Sequence, residues 1–81
     1  MSDTIIRLAS KLAEDTMKVM DETGNDRFFM EVGEVIGASS QTLEEAFLTE
    51  IRVRMAERKA RKFVVEKLTE HRSKLKAIEK Q

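Results

Sequence analysis

The stretch LEEAFLTEIRVRMAERKARKFVVEKLTEHRSKLKAI, Leu43–Ile78, has no Gly or Pro and keeps helical periodicity from end to end. At a rise of about 1.5 Å per residue, it predicts a helix more than ~50 Å long. A compact chain of 81 residues has a radius of gyration near ~12 Å. Such a chain cannot wrap that helix on all sides.

On a wheel of roughly 100° per residue, the first half of the stretch puts Leu43, Phe47, Leu48, Ile51 and Met55 on one face. The positions that would continue this face are Arg58 and Lys62, with Arg54 and Arg61 alongside. A second stripe opens on roughly the opposite side: Val53, Ala56, Ala60, Val64, Leu68, His71, Leu75 and Ile78, with Phe63 at its edge. Its spacing of 3, 4, 4, 4, 3, 4, 3 is a heptad seam with a stutter near Ala60–Leu68. Two offset faces call for two packing partners. The first face is expected to pack on the preceding helices. Nothing in the chain remains to cover the second, which implies another molecule.

The rest of the sequence supplies those preceding helices. Asp3 or Thr4 is expected to cap a helix over residues 3–22, with Ile5, Leu8, Ala9, Leu12, Thr16, Val19 and Met20 inward and Ile6, Ala13 and Met17 flanking. Gly24 ends it as a C-terminal cap. A short helix over residues 26–36, capped by Asp26, carries Phe28, Phe29, Val32, Val35 and Ile36, and Gly37 stops it. Ser39 or Ser40 caps the third helix, residues 40–78. The sequence predicts an all-α, single-domain fold over residues 1–81: a helical hairpin or three-helix unit completed by oligomerisation through its last helix. Phe28, Phe29, Ile36, Phe47 and Ile51 are assigned to its core, and Met17, Met20, Met30 and Met55 to core filling.

Composition agrees with a bundle or coiled coil: 41% hydrophobic and 37% charged residues. A chain this short rarely stabilises itself by one core alone, and it has no cysteine with which to form a disulfide. The lack of Cys also excludes thiol catalysis and thiolate metal sites. No apolar run reaches membrane-spanning length and no signal-peptide pattern opens the chain, so a cytoplasmic protein is expected. The net charge of zero conceals an asymmetry. Residues 1–50 carry eleven Asp/Glu against four Lys/Arg, and residues 51–81 carry eleven Lys/Arg against four Asp/Glu. Either the basic half meets nucleic acid, or the basic end of one chain docks on the acidic end of another. Only the second explains both halves.

Few short motifs carry chemistry. Asp21, Thr23 and Asn25 begin like a calcium loop, but Asp26 stands where that loop needs Gly and Val32 where it needs Glu. A capped turn accounts for the segment. His71, the one histidine, lies on the apolar stripe, where two copies facing each other in a symmetric dimer would give the seam some pH sensitivity. No metal, cofactor or small-molecule substrate is implied, and no acid–base pair recommends an enzyme.

The segment Val32-Gly33-Glu34-Val35-Ile36-Gly37-Ala38-Ser39-Ser40-Gln41-Thr42-Leu43 resembles a DNA-binding helix-turn-helix. The resemblance rests on small Gly33, apolar Ile36, Gly37 at the turn and Leu43 pointing inward, over about a dozen residues. It implies base contacts from Ser40, Gln41 and Thr42, with Glu44 and Glu45 also facing the groove. The basic run Arg52, Arg54, Arg58, Lys59, Arg61 and Lys62 is a second candidate for nucleic acid, along a phosphate backbone. The leading expectation is a non-enzymatic interaction module that self-associates, as a dimer in preference, or docks on another helical protein. Its seam is Val64, Leu68, His71, Leu75 and Ile78. A small nucleic-acid-binding regulator is the alternative.

Overall fold

A computed structural model describes residues 2–79. They form three helices, α1 (Asp3–Thr23), α2 (Phe28–Gly37) and α3 (Gln41–Glu79), and no strand among the described residues. The molecule measures 64 × 28 × 13 Å with a radius of gyration of 18.2 Å. That is far above the ~12 Å of a compact chain this long, and the long α3 is the cause.

Each boundary has a local reason. The α1 N-terminus is capped by Ser2, one residue before the expected Asp3 or Thr4; its Oγ accepts from Ile5 N at 3.3 Å. Asp3 instead stands in the first turn, where a negative charge meets the positive end of the helix dipole. Gly24 ends α1 with φ 74°, the left-handed conformation that glycine adopts without a Cβ penalty, and its N–H returns to Met20 O. The turn into α2 is closed by Asn25, whose Oδ1 accepts from Arg27 N at 3.2 Å. Asp26 therefore does not cap α2, which starts at Phe28, two residues later than the predicted boundary. Ser40 caps α3, its Oγ accepting from Leu43 N at 3.1 Å.

The contacts show how the helices run. Along α1, Ala9 meets Ala46, Met17 lies by Val53, and Asp21 reaches Arg58, so α1 and α3 point the same way. Along α2, Phe29 lies by Met55, Gly33 by Leu48 and Gly37 by Glu44, so α2 returns antiparallel beside α3 over its full length. The core lies where the three meet: Ala9, Ala13, Met17, Ala46, Phe47 and Ile51, with Phe29, Ile36, Leu43, Leu48 and Met55 packed round it. Phe47 and Ile51 are fully buried, each contributing about 1.5–3 kcal/mol of hydrophobic stabilisation.

Several inward assignments are corrected. On α1 the buried face is Ala9, Ala13, Thr16, Met17 and Met20, while Leu8 and Val19 are exposed. The α3-facing stripe is thus turned towards small residues, which let the two backbones approach. Phe28 is half-buried. Met30 is exposed rather than core filler, because the short α2 has no third neighbour on that side.

Candidate interaction surface

Beyond Arg58 the third helix leaves the body, and every residue from Ala56 to Glu79 is exposed. The stripe Val64 (64%), Leu68 (46%), Leu75 (46%) and Ile78 (67%) faces outward, with Val53, Phe63 and Val65 exposed beside it. His71 stands within the stripe and is also exposed. From the wheel, this stripe lies roughly 130° round α3 from Phe47 and Ile51, not fully opposite them. α1 occupies the flank between.

That flank is furrowed. A depression lined by Ile6, Ala9, Ala46, Thr49 and Glu50 opens near the start of α3. A second, of 360 Å³, follows at Glu14, Met17, Lys18, Val53 and Glu57. A third, at Glu57, Ala60, Arg61, Val64 and Val65, runs into the exposed stripe itself. A separate groove of 530 Å³ lies on the other side of α3, between Phe29, Met30, Gly33, Leu48 and Met55, with Glu34 and Glu44 on its rim.

The basic run is divided by the fold. Arg54 reaches α1, its Nη2 donating to Ser10 Oγ at 2.8 Å and Ser10 O at 3.3 Å. Its Nε stands 3.5 Å from Glu50 Oε2, without hydrogen-bond geometry. Arg58 forks onto Asp21, Nη1 to Oδ1 at 2.8 Å and Nη2 to Oδ2 at 2.9 Å. These hydrogen bonds hold the Asp21 carboxyl below its ordinary value. Arg61 Nε donates to Glu57 Oε1 at 2.7 Å. Arg52, Lys59 and Lys62 are exposed and make no ion pair among the described residues.

At the α2–α3 corner, Ser40 is engaged as a cap, while Gln41 and Thr42 are exposed. The Glu44 carboxylate folds back over Gly37, its Oε2 lying 2.6 Å from where a Cβ would stand. Helical spacing alone places Arg54 and Arg58 on one basic face and names no partner for them in α1. Charge sign is the available signal: Asp21 is acidic and in the last turn of a helix that has to pack on α3.

Among the described residues, no group of three or more His, Cys, Asp or Glu is placed to hold a metal ion. No helix among them is long and apolar enough to cross a membrane. No protein-family model matches the chain, and no significant match to a curated protein or a solved structure is found.

Proposed function

We propose that this chain is a cytoplasmic, non-enzymatic helical interaction module. It works by associating with itself, as a homodimer, or by docking on another helical protein through the distal half of α3. One observation carries the reading. Val64, Leu68, Leu75 and Ile78 keep helical spacing over four turns, yet each is about half or more exposed. Contiguous apolar surface of this kind marks an interaction site, and an a/d-like seam is the form that takes another helix.

Light scattering tests it. The full chain is expected to have the mass of a dimer, and a Leu68→Asp, Leu75→Asp double variant that of a monomer with its helical circular dichroism largely kept. A full chain that stays monomeric at high micromolar concentration would sink self-association.

A second reading, a small nucleic-acid-binding regulator, draws support from the exposed Arg52, Lys59 and Lys62, the basic net charge after residue 50, and the exposed Gln41 and Thr42 at the corner. Arg54, Arg58 and Arg61 already have protein partners, which lowers the charge this face can give to phosphates. Binding to nucleic acid that weakens steeply from low to moderate salt would favour it.

A further inference from the structure

We propose that two copies pair antiparallel, each laying the distal half of its α3 into the other's α1/α3 furrow, centred near residue 62. The orientation rests on self-association as proposed above, and three observations select it.

The first is side-chain size. Along the stripe face, the distal half of α3 carries the bulk: Val64, Leu68, Leu75 and Ile78. The proximal half of the same face carries mostly small residues, the exposed Ala60, Ala56 and Thr49 and the buried Ala46, with Val53 its one larger apolar side chain. In an antiparallel pair centred near residue 62, Val64 falls opposite Ala60, Leu68 opposite Ala56, and Leu75 opposite Thr49. Ile78 falls at the level of Ala46, which the core already buries, and meets the depression beside it that Ile6 and Thr49 wall. Large meets small at each of these four levels, which is how facing layers fill space without voids. A parallel pair would set alanine on alanine and leucine on leucine. The same register puts His71 opposite Val53 and separates the two His71 copies by about 27 Å, so they do not face each other.

The second is charge. The acidic excess lies in residues 1–50 and the basic excess in residues 51–81. Antiparallel pairing lays each basic half along an acidic body, whereas parallel pairing lays the two basic halves together. Opposed potentials set orientation in helix pairs.

The third is continuity. A straight helix offers one side to a straight partner, so a two-fold pair must use the same face of α3 at both ends. The depressions at Ile6–Ala46, Met17–Val53 and Ala60–Val64 supply such a face. The larger groove at Phe29, Leu48 and Met55 lies on the far side of α3 from the stripe and cannot be filled reciprocally by the same pair.

The chain has no native cysteine, so single labels can be placed at will. Ala77 and Ser73 are exposed and stand off the stripe. Ala77→Cys and Ser73→Cys, each carrying a spin label, are read by dipolar electron spin resonance at a concentration where light scattering shows the dimer. Antiparallel pairing gives about 45 Å between Ala77→Cys labels, and about 12 Å less for Ser73→Cys, from the helical rise. An equal distance of about 25–30 Å at both positions, from the lateral spacing of a helix pair plus labels on its outer sides, would overturn the orientation but leave self-association standing. Masses that keep growing beyond the dimer with concentration would mean head-to-tail docking and would also overturn it. A monomer would overturn both this pairing and the self-association it rests on.

Discussion

The two halves of α3 share one unbroken helix and differ in everything round it. Gln41 to Arg58 is walled by α1 and α2 and holds the fully buried Phe47 and Ile51. Lys59 to Glu79 is exposed throughout. Propensity alone does not distinguish them. Ala, Glu, Arg and Leu recur in both, Lys adds to the distal half alone, and neither has Gly or Pro. The distal half is carried by propagation from a packed start, which removes the costly nucleation step. Pairs such as Arg61–Glu57 and Lys74–Glu70 add about 0.2–0.5 kcal/mol each. The lesson is that helicity and burial are separable. The proximal half is helical because it is packed; the distal half is helical and still has apolar surface to bury.

The sharpest way to break this contrast is a matched pair of substitutions. Phe47→Ala is expected to cost about 3–5 kcal/mol, a large share of the roughly 5–15 kcal/mol that holds a small domain together. Leu68→Ala, measured dilute enough for the chain to be monomeric, is expected to change stability by less than about 0.5 kcal/mol. Urea unfolding followed by circular dichroism measures both. Comparable losses at the two sites would mean that the distal half is packed on its own chain.

The second wall of the proximal half, α2, faces Leu48 at the buried Gly33. A Cβ there would stand 3.4 Å from Leu48 Cδ2, ordinary contact. Gly33→Ala should therefore be neutral or gain up to about 1 kcal/mol from helix propensity. Gly33→Leu should overpack the α2–α3 contact and cost about 1–3 kcal/mol. If alanine costs as much as leucine in thermal unfolding, α2 sits closer to α3 than these distances allow.

Both halves are legible in the amino-acid sequence, because periodicity survives where contacts do not. Leu43, Phe47, Ile51 and Met55 announce the packed face, and Val64, Leu68, Leu75 and Ile78 the unpacked one. The caps are less legible. Ser2, Asp3 and Thr4 all suit an N-cap, and only the backbone angles choose among them. The inward face of α1 is misread for a related reason. Ala9, Thr16 and Met20 are placed inward correctly, but Leu8 and Val19 outrank Ala13 in hydrophobicity; close helix approach selects small side chains, and no single-helix wheel records how near the neighbour comes. Pairing of Asp21 with Arg58, 37 residues apart, lies beyond any local pattern.

That ion pair marks where the two halves divide, and it offers the smallest and most local test. Arg58 is the last residue of α3 tied to α1, and both members of the pair are exposed, so it adds little to stability at neutral pH. Its signature is a titration. Because Arg58 lowers the folded-state value of Asp21, its contribution is complete above the unfolded carboxyl value of about 3.9. It is lost as the pH falls through the lowered folded value. Carboxyl titration by nuclear magnetic resonance should place the Asp21 midpoint below that of an ordinary aspartate, and Arg58→Met should restore it. The stability difference between the two proteins should shrink as the solution is acidified. An ordinary midpoint in both would mean that Arg58 is not held to α1. The packed half of α3 would then end at Arg54, one turn earlier, and the free stripe would be one turn longer.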